Sequence, residues 1–206
     1  MNKDIIMLGS GGHAKSLIHI LESVNKTISA VFSPNKAEST ENFPDSEHYH
    51  DDVSIHKFNS KKVLLVNGIG AMPENENRKK VHKKFKQLGY NFLSLVSDSS
   101  NLAKDVQLKN GVQILNGVIV NSGSIIGCET ILNTGVIVEH GCEIGSNCHL
   151  APGAIICGDV KINNDVFIGP GAILARGVEI GEGSIIGAGS KIFKNIKPNT
   201  KVIQKL

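Results

Sequence analysis

Counting in sixes from Val96, every position is Ile, Leu or Val. The run passes through Leu102, Leu108 and Ile114 to Ile180, Ile186 and Ile192 without a slip. Four places after each aliphatic comes a second restricted position. It is small or β-branched, as at Val112, Ser124, Thr130, Cys142, Cys148, Ala154 and Ala172. Glycine recurs one or three places after the aliphatic, as in Ile168-Gly169-Pro170-Gly171, where it permits a tight turn. A six-residue period cannot wind an α-helix. A short strand, a turn and a short strand, repeated three times, close a triangular coil of about eighteen residues. The aliphatic then fills the interior and the small residue sits beside the corner. Stacked coils pair their backbones in parallel, so each coil needs its neighbours.

This frame also accounts for the cysteines. Cys128, Cys142, Cys148 and Cys157 show no paired CxxC spacing. Cys142 and Cys148 take the small interior position, which favours core packing over metal binding. Unpaired cysteines point to a reduced, cytoplasmic protein. The start Met1-Asn2-Lys3-Asp4 precedes only a short apolar run, so neither a signal peptide nor a membrane span is expected. A net charge of +3 and an aromatic content of 4% argue against a nucleic-acid surface. The basic stretch from Arg78 to Lys86 reads as a solvated helix face.

The first part of the chain follows another pattern. Ile5 to Leu8 reads as a buried strand leading into Gly9-Ser10-Gly11-Gly12-His13-Ala14, after which Leu17, Ile18 and Leu21 recur at helical spacing. Strand, glycine turn and helix form an anion cradle at a helix N-terminus. Gly9-x-Gly11-x-x-Ala14 alone is a weak dinucleotide signal, and the strand Ile28 to Phe32 ends in Ser33-Pro34 without an acid for a ribose hydroxyl. NAD is therefore disfavoured. Val63 to Val66 is a third strand, before Gly68-Ile69-Gly70. A helix is expected from near Glu74 to Leu88, with Val81, Phe85 and Leu88 inward and Gly89 ending it. Phe92 to Val96 is a fourth strand. Phe43 to Lys57 is expected to be an irregular polar loop, so His48, His50, Asp51 and Asp52 read as loop residues rather than metal ligands. The division is a Rossmann-like α/β domain over 1–95 and a parallel β-helix of hexapeptide repeats over 96–206.

A small glycine-loop domain before a hexapeptide β-helix resembles the sialic acid O-acetyltransferase family. That family also holds bacterial amino-sugar N-acetyltransferases, and the likeness covers essentially the whole chain. It rests on Gly9-Ser10-Gly11-Gly12-His13, Gly68-Ile69-Gly70, Leu132-Asn133-Thr134, Val138-Glu139-His140-Gly141-Cys142, His149 and Cys157-Gly158-Asp159-Val160. The resemblance implies a left-handed coil, a homotrimer, and acetyl-CoA as co-substrate without a metal. It implies His140 as general base, Gly158 as an N–H donor to the thioester carbonyl, and Asn133 as a further catalytic position. His149, Gly158, Pro170 and Ala188 are implied at the coenzyme. Gly11, Gly12, His13, Ser33, Pro34 and Gly70 are implied at a sugar-nucleotide pocket. The residues themselves agree about His140: it stands two places after Val138, near a corner and outside the prism, and imidazole accepts a proton near neutral pH.

Three departures stand out. Relatives commonly carry an acid directly after the base, where this chain has Gly141; if that acid only tunes the base, Gly141→Glu should raise or at least not abolish activity. Relatives often carry acids after the second strand, where this chain has Ser33 and Pro34. The Gly-x-Pro-Ala segment near the C-terminus is absent from Lys201-Val202-Ile203-Gln204-Lys205-Leu206, which bears on adenine contacts. The expected activity is acetyl transfer from acetyl-CoA to an amino group of a nucleotide-linked amino sugar in bacterial surface-glycan synthesis. A sialic-acid-type hydroxyl is the alternative acceptor, and a non-catalytic sugar-nucleotide scaffold the alternative class. A zinc hydratase would need three histidines, and the repeat offers only His140 and His149.

Overall fold

The computed structural model describes residues 3–203, so Gln204 to Leu206, part of the third departure, lie outside the described residues. The chain forms two compact units that meet between Leu93 and Ser94.

The first unit is built on a parallel sheet. Its strands are β1 (Asp4–Leu8), β2 (Ile28–Phe32), β3 (Glu47–Tyr49) and β4 (Val63–Asn67), in the order β3-β2-β1-β4. The continuous apolar runs of β1 and β4 suit a sheet covered on both faces. Helix α1 (Gly12–Ser23) buries Ala14, Leu17, Ile20 and Leu21, a helical stripe; Ile20, not Ile18, completes it. Helix α2 (Lys36–Asn42) follows β2, and α3 (Asn77–Gln87) follows β4.

Four expectations are corrected here. The segment Phe43 to Lys57 is ordered: β3 pairs with β2 through Ala30↔Glu47, Val31↔His48 and Phe32↔Tyr49, and Val53–Lys57 is a 3₁₀ turn. The stacked Phe32 and Tyr49 rings, 4.8 Å apart, supply the apolar contact that a polar-looking sequence hid. Helix α3 starts at Asn77, because Glu74 adopts φ 66, which a helix does not admit. Leu88 is 41% exposed, whereas Phe85 is buried at 1%. Phe92 to Val96 is not one strand: Phe92 bridges to Leu65, while Leu95–Val96 pairs with Gln113–Ile114.

The second unit is a parallel β-helix with three faces. Face 1 runs from Leu95–Val96 to Lys201–Val202, face 2 from Asn101–Leu102 to Lys191–Ile192, and face 3 from Gln107–Leu108 to Glu179–Ile180. Equivalent strands pair in register, as in Leu132↔Ile114 and Leu132↔Leu150. The aliphatic column lies inside, with Ile126, Leu132, Val138, Leu150 and Ile156 all at 0% exposure. Burial of each such side chain contributes about 1.5–3 kcal/mol.

The small position has a polar role as well. Ser124 Oγ donates to Glu139 O at 3.0 Å and Thr130 Oγ1 to Gly145 O at 2.7 Å. Cys142 Sγ and Cys148 Sγ reach the equivalent carbonyls of Cys157 and Asn163 at 3.2 and 3.1 Å. A hydroxyl or thiol thus satisfies a corner carbonyl that the ladder leaves open. Burial pushes the Cys142 thiol up to about 11 and the Cys148 thiol up to about 12, so both stay protonated packing groups.

Candidate active site

His140 lies on the corner where the chain leaves face 2 at Val138 and enters face 3 at Glu143. One coil further along the same corner is Gly158. A Cβ built on Gly158 would stand 2.6 Å from both Cε1 and Nε2 of His140, so the imidazole lies across the bare Cα. Glycine is required there by the neighbouring ring, since no positive φ is involved. The Gly158 N–H meets no backbone carbonyl among the described residues, which leaves it available to an incoming oxyanion.

The acids around the ring are arranged differently from expectation. Glu139 accepts a bond from Asn121 Nδ2 at 2.9 Å, directed along the face rather than toward His140. From the next coil, Asp159 Oδ1 lies 3.7 Å from His140 Nδ1, and Arg176 Nη2 lies 2.7 Å from Asp159 Oδ2. At Gly141 the backbone has φ +68, and a Cβ would meet Asp159 Oδ1 at 2.6 Å. A glutamate at 141 would therefore be strained and would crowd a like charge. The expectation that Gly141→Glu keeps or raises activity is replaced by an expected loss.

The coenzyme candidates occupy another edge. Asn133 follows Leu132 at the corner between faces 1 and 2, and Pro170 and Ala188 lie along that same corner. His149 points outward from face 1, because its strand neighbour Leu150 points in. Asn133 Oδ1 accepts from the Thr134 N–H at 2.8 Å, so its amide nitrogen faces His149 Nε2 at 3.2 Å. Phe167 holds the ring edge-on, with centroids 5.3 Å apart. The fold therefore joins Asn133 to His149, and joins His140 to Gly158, on two different edges. In a triangular prism the His140 corner is opposite face 1, so a single chain does not bring the two groups together.

In the first unit, the remaining candidates gather at the carboxyl ends of the strands, where open α/β sheets take ligands. Ser33 Oγ and Ser10 Oγ are 2.7 Å apart, linking the Gly9–His13 loop to the end of β2. Ser10 O accepts from Asn42 Nδ2 at 2.7 Å, and His50 Nδ1 lies 2.9 Å from Ser33 O. Gly11 is the N-cap of α1, with no side-chain cap on that helix. A Cβ at Gly12 would meet nothing within 4 Å, and one at Gly70 only His13 Cβ at 3.5 Å. At Gly68 a Cβ would fall 2.6 Å from Met7 Sδ, so that glycine lets the loop close on β1. Pro34 is exposed beside Ser33.

Sequence reasoning missed three residues. Arg78 is not on a solvated face: it is 6% exposed and donates from Nη1 to Asn67 O and Ile69 O, both at 2.8 Å, pinning the loop before Gly70. Asp159 and Arg176 were missed because their contacts cross coils. The offset of eighteen residues that relates His140 to Gly158 was the signal that could have found them. Among the described residues no group of three or more His, Cys, Asp or Glu could hold a metal ion, and no helix is long and apolar enough to cross a membrane.

Comparison with known proteins matches both units. Residues 123–158 and 159–194 match the bacterial transferase hexapeptide family (six repeats), and residues 4–85 match the PglD N-terminal domain. No curated protein matches by sequence. Among solved structures, a histidine-to-alanine variant of GDP-perosamine N-acetyltransferase from Caulobacter crescentus, in complex with CoA and GDP-perosamine, is 28% identical. The match covers 99% of this chain and 95% of that one, with a TM-score of 0.87. The acetyltransferase domain of PglB from Neisseria gonorrhoeae, with acetyl coenzyme A, has a TM-score of 0.88 at 20% identity, covering 98% and 96%. WeeI from Acinetobacter baumannii has a TM-score of 0.86 at 20% identity, covering 98% and 97%; at that identity both share the fold alone. The prism is thus a left-handed parallel β-helix of hexapeptide repeats.

Proposed function

Because residues 123–158 and 159–194 match the bacterial transferase hexapeptide family and residues 4–85 match the PglD N-terminal domain, we infer that the chain transfers the acetyl group of acetyl-CoA to an amino group of a nucleotide-linked amino sugar. The observation that carries this reading is the His140 imidazole lying on Gly158, in a chain that matches an N-acetyltransferase bound to CoA and a GDP-amino sugar over 99% of its length. The O-acetyltransferase reading is not favoured. The amine nitrogen attacks the thioester carbonyl carbon, forming a C–N bond. His140 takes the proton shed by nitrogen, the C–S bond breaks, and coenzyme A leaves with a proton as the free thiol. The Gly158 N–H would face the oxyanion formed in between. A panel of amino and hydroxy sugars, assayed for thiol release from acetyl-CoA, tests this. Release is expected with nucleotide-linked amino sugars, and release with hydroxy sugars alone would reverse the acceptor class.

A homotrimer follows from the same reading. The outward row of face 2 carries Ile119, Ile137, Ile155 and Ile173 between Asn101 and Lys191, whereas face 3 presents Gln107, Ile125, Glu143, Lys161 and Glu179. Four successive outward aliphatics occur on face 2 alone, since His149 interrupts the row of face 1 and charges interrupt that of face 3, and such a stripe is a mark of association. His140 and the Asn133–His149 pair border face 2 at its opposite edges, so a cyclic assembly that sets one edge beside the neighbour's other edge completes one groove. The Pro170 and Ala188 column would then flank the coenzyme. Light scattering should give a trimer, and a monomer with full activity would contradict it. A reduced cytoplasmic location fits the unpaired thiols and the supply of acetyl-CoA.

The acceptor is assigned to the loops of the first unit, where Gly11, Gly12 and His13 open α1 and Ser33, Pro34 and Gly70 flank them. The helix terminus favours a phosphate. Since the space around a Cβ at Gly12 is empty, Gly12→Val should fold normally. It is expected to raise the acceptor KM about tenfold or more and leave acetyl-CoA affinity nearly unchanged. Calorimetry with each ligand separately checks this, and weakened acetyl-CoA binding with intact acceptor binding would reverse the assignment.

A further inference from the structure

We infer that Asp159 is a positioning residue for His140, and that Arg176 clamps it; the inference rests on His140 being the base proposed above. The three residues come from three successive coils on one corner. Arg176 donates through Nε and Nη2 to Asp159 Oδ2 at 3.0 and 2.7 Å. The two carboxylate oxygens are thereby divided: Oδ2 belongs to the guanidinium, and Oδ1 is turned toward His140 Nδ1 at 3.7 Å.

The backbone fixes this arrangement as much as the side chains do. The Asp159 N–H donates to His140 O at 2.9 Å, so the acid cannot slip along the corner without breaking the ladder. Asp159 sits at φ 60, a conformation that Asp tolerates better than most residues. Gly141 provides the clearance, since any Cβ there would fall on Oδ1. Three separate features therefore converge on one placement of the carboxylate.

At 3.7 Å the contact is an ion pair rather than a hydrogen bond, so its action on the ring is mainly Coulombic. When His140 takes a proton from the acceptor nitrogen, the imidazolium forms beside Oδ1. An opposite charge at that distance attracts the imidazolium, so the carboxylate holds the ring where it lies. The other charged groups near the corner are occupied. Glu139 is bonded by Asn121, and Asp105 on a preceding coil is bonded by Ser122 Oγ and the Gly123 N–H. The Cys142 thiol is neutral, held up at about 11 by burial. Arg176 acts in the opposite sense by its charge, but it sets where the carboxylate points.

The test reads the ring's position directly, by NMR in the intact protein, as NOEs between the His140 ring protons and the Gly158 Hα protons that the ring lies across. The variants are Asp159→Asn, Arg176→Gln and Arg176→Lys, each with a thermal melt and steady-state kinetics. Asparagine also tolerates the left-handed backbone, so Asp159→Asn should fold. It is expected to weaken the NOEs and to lower kcat about tenfold while the KM for acetyl-CoA stays nearly unchanged. Arg176→Gln should act in the same direction by a smaller factor, because the carboxylate loses its clamp, and Arg176→Lys should restore part of the loss. Unchanged NOEs in Asp159→Asn, or an equal loss in Arg176→Gln and Arg176→Lys, would overturn the inference. The NOEs need no acceptor, so a chain that acetylated no amino sugar would overturn the proposed function while the ring's position still decided the role of Asp159.

Discussion

Replacing His140 with alanine is expected to lower turnover by at least two orders of magnitude while leaving the fold intact. The size follows from the chemistry, since a positioned general base contributes about 10²–10⁴ in rate. The preserved fold follows from position. The side chain of His140 is 55% exposed, outside the column of Val120, Val138 and Ile156 that fills the prism. The ladder bonds at this corner are made by backbone atoms, such as Gly141 N–H to Ser122 O at 2.9 Å, and alanine keeps them. Thiol-release kinetics beside a thermal melt read the two halves of the prediction separately. Near-wild-type turnover would remove His140 from the mechanism, and a large drop in Tm would make it a structural residue instead.

Gly158→Ala is expected to cost about 10²-fold in kcat, although it adds a single methyl group. That methyl would stand 2.6 Å from two atoms of the His140 ring, well inside van der Waals contact. The ring is the softer partner and must swing away, and a displacement of about 1 Å at a reacting group is enough for a loss of this order. Backbone strain does not enter, because Gly158 is not among the glycines with positive φ. Stability should therefore change little, which separates this variant from a packing defect. The double variant His140→Ala/Gly158→Ala should be no slower than His140→Ala alone, since both act through one ring. If Gly158→Ala retains full kcat, or if the two losses multiply, the ring is not the group that the glycine accommodates.

The repeat was almost wholly legible because its physics is local. An interior position must be aliphatic in every coil, so Val96 to Ile192 announces strands, corners and stacking together. The first unit was legible where hydrophobic runs were long, as in β1 and β4. It was misread where order comes from distant partners. β3 looks like a polar loop until Phe32 and Tyr49 stack, and Arg78 looks like a surface charge until the carbonyls of Asn67 and Ile69 meet it. Leu88 shows the reverse error, an apolar residue at helical spacing that the end of α3 leaves in solvent.

The sequence by itself determined the coil, its period, the interior columns, the corner on which His140 sits and the glycine loop that opens α1. Each of these depends on residue type at a fixed spacing, and spacing is written in the chain. Only the tertiary structure decided which corner residues meet. It set the imidazole on Gly158, turned Asp159 from the following coil toward it, gave Asp159 to Arg176, and paired Asn133 with His149 on another edge. The physical reason is that these contacts run along the prism axis, between residues sixteen to nineteen apart. At that separation direction depends on how each corner turns, and a sequence of residue types does not contain the turn.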